Sequence, residues 1–110
     1  MVGWQYSIAS AFERLRAEWR IKCESVRIAR TIYPPLWENV RRKIPGTSLS
    51  DLTAYAKVRA AQLAQEQVDA VMQANPALTG AFATRLLVKT TDRSVELVMD
   101  AVANARRAAA

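Results

Sequence analysis

Two apolar faces on one predicted helix, over residues 8–33, constrain the fold of this chain most strongly. A larger set of side chains recurs at spacings of three, four or seven, which places it on one helical stripe: Ile8, Phe12, Leu15, Trp19, Val26 and Tyr33, with Cys23 and Ala29 beside them. A shorter set lies nearly opposite: Ala17, Ile21, Ile28 and Ile32. A surface helix needs only one apolar face. The second face therefore implies a helix that the rest of the chain wraps or that meets another subunit.

The composition predicts an all-α fold. The chain has 110 residues, enough for one core without disulfide or metal support, and 51% of them are hydrophobic. Alanine is abundant, only three glycines are present, and strand-like alternation is scarce. We expect a single helical domain over residues 1–110, built as a small bundle of four to five helices with a long N-terminal helix.

Prolines and capping residues set the predicted helix boundaries. Pro34-Pro35 should end the first helix and open a short second one over residues 35–44, which Pro45-Gly46 terminates. Ser48 should cap a third helix that runs to about Ala74, with Asp51 in its first turn. Asn75-Pro76 should cap and open a fourth helix that ends near Lys89.

The segment 86–98 has two interpretations. The apolar positions Val95, Val98 and Val102 lie roughly 200° around a continuous helix from Leu78, Phe82 and Leu86. A break at Thr90-Thr91-Asp92, followed by a last helix to about Arg107, would explain this offset. A hairpin around Thr91-Asp92 is the alternative, although its turn has no glycine.

A small-residue stripe marks the core face of the third helix, where a neighbour could approach closely: Leu49, Leu52, Ala56, Ala60, Leu63, Ala64 and Val71. Cys23 is the single cysteine and falls on the larger stripe of the first helix, so we expect it to be buried.

The residue inventory excludes much of the familiar catalytic chemistry. The chain has no histidine and one cysteine, so it cannot build a Ser-His-Asp or Cys-His arrangement, nor a His-containing or all-cysteine zinc site. Its three glycines are isolated, so no glycine-rich phosphate loop can form. Carboxylate pairs such as Glu96 with Asp100 are interpreted as solvated helix faces. We therefore expect no catalytic residues, no metal and no cofactor.

Positive charge is concentrated near the N-terminus. Residues 1–43 contain nine Arg and Lys against four Glu, whereas residues 44–110 contain seven against six acidic residues. This excess predicts a surface for an anionic partner on Arg16, Arg20, Arg27, Arg41, Arg42 and Lys43. A solvated basic flank, partly neutralised by the pairs Glu13–Arg16 and Glu24–Arg27, is the alternative.

These patterns predict a non-catalytic helical interaction or structural protein that self-associates and has a basic surface toward an anionic partner. The predicted subunit interface is the shorter stripe, Ala17, Ile21, Ile28 and Ile32, unless the short helix 36–44 folds back over it. A nucleic-acid-binding protein that contacts backbone phosphates is the alternative. We expect no transmembrane segment, since charges interrupt every apolar run, and a cytoplasmic location.

Overall fold

Three long helices form the part of the chain that the structure describes. The computed structural model describes residues 2–109, with side chains from residue 8 onward. The helices are α1 (Val2–Arg41), α2 (Leu49–Ala74) and α3 (Gly80–Ala109). The expected all-α class is confirmed, whereas the expected four to five helices are reduced to three because two predicted breaks do not occur. The helices pack as an up-down-up bundle in which α2 runs antiparallel to both neighbours.

Helix α1 continues through Pro34 and Pro35, so the predicted end at this point is wrong, as is the separate helix over residues 35–44. Both prolines are exposed, and the carbonyls of Arg30 and Thr31 that lose their helical donors lie on the exposed side of α1. A proline inside a helix costs about 3 kcal/mol. Burial stabilises by about 1.5–3 kcal/mol per large side chain, and four are buried on both sides of the prolines: Ile28, Ile32, Leu36 and Val40.

Helix α2 begins and ends where its sequence predicts. The Ser48 side chain accepts a hydrogen bond from the backbone N–H of Asp51 at 3.2 Å, which satisfies one of the unpaired donors of the first turn. Gly46 has φ +80°, and this conformation allows the short turn after Pro45. The predicted small-residue core face is buried at Leu52, Ala56, Ala60 and Ala64 and at Val71, whereas Leu49 is exposed.

Helix α3 is continuous from Gly80 to Ala109, so neither the break at residues 90–92 nor the hairpin forms. The predicted helix start at Asn75-Pro76 is also wrong, because Asn75 ends α2 by donating its backbone N–H to the Met72 carbonyl. Thr79 takes the capping role instead, since its hydroxyl accepts from the backbone N–H of Phe82 at 3.2 Å.

Two apolar clusters explain why the apolar positions in the two halves of α3 lie on different sides of a continuous helix. The turn-side cluster lies next to the α2–α3 turn and contains Ile21, Ile28, Ile32, Ala64, Val68, Val71, Phe82 and Leu86. The loop-side cluster lies next to the α1–α2 loop and contains Leu36, Val40, Leu52, Ala56, Ala60, Val95, Val98 and Val102. Buried positions on α3 recur every four residues, at 82, 86, 90, 94, 98 and 102, so the buried stripe winds around the helix. Each half of α3 therefore faces a different part of the bundle.

The burial of the two apolar faces of α1 is the reverse of the prediction, which places the shorter stripe at a subunit interface and the larger stripe in the core. The shorter stripe is in the core: Ile21, Ile28 and Ile32 are buried in the turn-side cluster. Most of the larger stripe is at the surface, including Cys23, which was expected to be buried. Two reasons apply. Ile8, Phe12 and Leu15 precede residue 17, from which α2 and α3 begin to cover α1, whereas Trp19 and Cys23 lie within the covered length but on the side of α1 away from the buried Ile21 and Ser25.

Candidate interaction surface

An apolar stripe lies on the N-terminal part of α1 and runs from the segment that projects beyond the bundle onto the bundle's edge. The exposed stripe, as we call it, consists of Ile8, Phe12, Leu15 and Trp19, whose exposed fractions are 40%, 61%, 62% and 65%. Their spacings of four, three and four place them in one line on the helix. Every residue from 8 to 16 is exposed, so this projecting segment has no contact with α2 or α3 that would bury it.

The apolar side of α1 changes at the end of the bundle. The core-facing line of Ile21 leads back through Ala17 to Arg14 and Ser10, which are polar and exposed. The bundle ends at this level because the α2–α3 turn meets α1 there: Arg20 Nη2 donates to Asn75 Oδ1 at 2.7 Å. The projecting segment therefore has polar residues on the side that continues the core and apolar residues on the other side.

The predicted subunit interface is covered by the chain itself. Ile21, Ile28 and Ile32 pack against Val68 of α2 and Leu86 of α3 in the turn-side cluster. Ala17 is half-buried at the edge. The three isoleucines have almost no free apolar area for a second subunit, and residues 36–41 continue α1 rather than folding back. The interface assignment of this stripe is therefore corrected to an intramolecular contact.

The predicted basic surface is spread along α1, and most of its members have partners. Residues 16 and 41 are separated by roughly 38 Å at about 1.5 Å per residue. Arg27 pairs with Glu24 at 2.7 Å, while Glu38 binds Arg41 at 2.7 Å and Arg42 at 3.1 Å. Arg20 bonds Asn75, and the ammonium of Lys43 lies 4.8 Å from the centroid of the Tyr55 ring. Arg16 is exposed, and no hydrogen bond or ion pair joins it to the described residues.

The ion pairs around Glu38 shift two pKa values. Hydrogen bonding from Arg41 is the largest cause that lowers the pKa of the Glu38 carboxyl, and the same bond raises the pKa of Arg41. A lowered carboxyl pKa means that this pairing contributes to folding stability at neutral pH. The contribution is lost as the pH falls through the lowered pKa. Both groups are solvent-exposed, so we interpret the cluster as local support for the last turn of α1.

A second row of basic side chains, which the sequence reasoning missed, lies next to the exposed stripe. Arg85, Lys89 and Arg93 follow one another at four-residue spacing on α3. They line a groove of 780 Å³ between α1 and α3, with Leu15 and Trp19 at its edge. Lys22, Glu18, Asp92 and Glu96 also line this groove. Within the described part of the chain, none of the three basic residues in the row has a carboxylate within 4.0 Å.

The spacing of Arg85, Lys89 and Arg93 could have revealed this row. The predicted break at residues 90–92 places Arg93 and Lys89 on different helices, so the four-residue spacing does not indicate a shared face. In a continuous helix, residues four apart lie on the same face.

Over residues 2–109, no three His, Cys, Asp or Glu side chains come close enough together to hold a metal ion. No helix in the same part of the chain has an apolar stretch long enough to span a bilayer.

Comparison with protein-family models, with curated proteins and with solved structures finds no match to this chain.

Proposed function

We propose that this chain is a non-catalytic helical interaction protein that self-associates through the exposed stripe of α1 and presents basic side chains to an anionic partner. The observation that carries the proposal is the exposure of the four stripe residues, each at least 40% exposed: Ile8, Phe12 and Leu15 on the projecting segment of α1, and Trp19 at the edge of the bundle. The proposed subunit interface therefore lies on the larger apolar stripe of α1 and not on the shorter stripe that the sequence predicts.

The uncovered apolar area supports this function. A fully exposed side chain of this size presents about 200 Å², so the four side chains leave roughly 450 Å² in contact with water. The largest apolar patch of a typical monomer measures about 300–600 Å² and often has a function. Two such patches, joined with their flanking residues, approach the roughly 1,000 Å² of buried area that a specific interface requires.

Sedimentation equilibrium tests self-association. We expect the native chain to dimerise and to remain dimeric in high salt, because apolar burial is not screened by ions. The double variant Phe12→Gln with Leu15→Gln should stay folded, since both residues are exposed, and should associate at least about 100-fold more weakly.

A matched control alters the other side of the same helical turns. Ser10→Gln with Arg14→Gln changes two exposed residues outside the exposed stripe and should leave the dimer intact. A native chain that remains monomeric at high micromolar concentration would refute self-association.

Binding to nucleic acid phosphates is a second candidate, and the row Arg85, Lys89 and Arg93 favours it. Three basic residues on one helix face, with no described carboxylate within 4.0 Å, suit an anionic backbone. Neutralising all three with glutamine should weaken binding to any oligonucleotide and reduce the salt slope by about one unit per lost phosphate contact. If duplex and single-stranded oligonucleotides fail to bind at low salt, this candidate is excluded.

A further inference from the structure

We infer that two copies of the chain pair their projecting segments in antiparallel orientation, with a two-fold axis level with Glu13 and Arg14. This inference rests on the self-association proposed above and adds the arrangement of the two copies. It places Ile8 of each copy opposite Trp19 of the other, and Phe12 opposite Leu15.

The sizes of the four side chains favour this orientation. In the antiparallel pair, every layer of the contact joins one aromatic and one aliphatic residue, so all layers have similar width. A parallel pair would place Phe12 on Phe12 and Trp19 on Trp19, with Ile8 and Leu15 also meeting themselves. Wide and narrow layers would then alternate, and because interiors pack to near-crystalline density, the wide layers would open gaps at the narrow ones.

The flanking residues also fit the antiparallel pair. Ala9 and Ala11 flank the N-terminal half of the exposed stripe, whereas Arg16 and Glu18 flank its C-terminal half. Antiparallel pairing sets each charged side chain beside an alanine of the other copy. Its long stem can then cover apolar surface while its charge stays in water.

Like charges disfavour the parallel alternative. Beyond Trp19, the line of the exposed stripe reaches Lys22 and Arg30, both of which are exposed. Parallel helices in register would bring each of these cations against its own counterpart, which is destabilising. In the antiparallel pair, neither cation lies level with its own counterpart, because both are far from the two-fold axis.

The native Cys23 provides a direct probe, because it is exposed on α1 and is the single cysteine. A nitroxide spin label on Cys23 allows the distance between the two copies to be measured by pulsed electron paramagnetic resonance. Antiparallel pairing places the two Cα atoms about 30 Å apart, from a rise of about 1.5 Å per residue and an interaxial distance of about 10 Å. Parallel pairing in register places them within about 15 Å.

A second label position guards against disturbance by the first label. Thr31→Cys in a Cys23→Ser background labels an exposed site outside the contact, where antiparallel pairing predicts about 53 Å and parallel pairing less than about 20 Å. The Phe12→Gln with Leu15→Gln variant should lose the intermolecular signal. A dimer with the shorter distances would overturn the antiparallel arrangement alone, whereas a chain that shows no intermolecular distance at any concentration would overturn both this inference and the proposed self-association.

Discussion

At the scale of single residues, the core contains three buried polar side chains, Ser25, Thr90 and Ser94, among the residues that the structure describes. Ser25 Oγ donates to the Lys22 carbonyl at 2.9 Å, and Ser94 Oγ donates to the Thr90 carbonyl at 2.7 Å. Thr90 Oγ1 is buried and has no hydrogen-bond partner among residues 2–109. An unpaired buried hydroxyl costs free energy because it loses water and gains no bond.

Replacing Thr90 with valine should therefore stabilise the protein. Valine keeps the branched shape and removes the unpaired hydroxyl, so we expect the free energy of unfolding to rise by about 1 kcal/mol. Urea denaturation measures this change. Thr91→Val is the control, since the Thr91 hydroxyl is half-buried and already donates to the Leu87 carbonyl at 2.7 Å, and it should not stabilise. Equal stability of Thr90→Val and the native chain would contradict the assigned cost.

At the scale of helices, tertiary packing overrides two local signals. The prolines of α1 are tolerated because they lie on the exposed side while the residues around them are buried. The positions of Val95, Val98 and Val102 on α3 are explained by a buried stripe that winds around a continuous helix, and no break is needed. Local capping gives the correct start of α2, where the Ser48 side chain accepts from the backbone N–H of Asp51.

Pro34→Ala tests this view of α1. Alanine restores a backbone donor for the Arg30 carbonyl and removes the ring clash, and both changes stabilise the helix. The loss of proline also raises the entropy of the unfolded chain, but this destabilises the protein by less free energy than the helix gains. We expect the free energy of unfolding to increase by about 1–3 kcal/mol in a urea titration. A destabilised variant would mean that the proline contributes a contact or a bend that the bundle requires.

The sequence predicts the helical class, the bounds of α2 and most of its buried face, because each depends on local spacing and capping. It could not predict which face of α1 is buried. Both stripes are apolar, and the choice depends on which side of α1 faces α2 and α3 and on how far along α1 they reach, which no local pattern encodes. The basic row of α3 was missed for a related reason, since its recognition requires a continuous helix through Thr90.

At the scale of the whole molecule, the chain is elongated, with extents of 66 × 26 × 19 Å, because α1 extends beyond its two partners. The bundle is held at both ends. Arg106 Nη2 donates to the Thr47 carbonyl at 2.9 Å near the α1–α2 loop, and Arg20 bonds Asn75 at the other end. Stability should therefore reside in the bundle, and association in the projecting segment.

A pair of alanine substitutions separates these two roles. Ile28→Ala should lower the free energy of unfolding by about 2–5 kcal/mol, because it leaves a cavity in the turn-side cluster. Leu15→Ala should change the stability of the monomer by no more than about 0.5 kcal/mol, since Leu15 is 62% exposed. Dilute samples, in which dimers dissociate, give the relevant comparison. Similar losses for both variants would contradict the division of roles.

Hydrogen–deuterium exchange at two protein concentrations tests the central claim, that the exposed stripe is a contact between copies, most directly. A helix of this length without tertiary contacts is marginally stable, so its amides should exchange quickly in dilute protein. Pairing predicts that amides 8–19 become protected as concentration rises, while amides 21–40 keep the same protection throughout. Protection of residues 8–19 that does not change with concentration, in protein that remains folded, would contradict it.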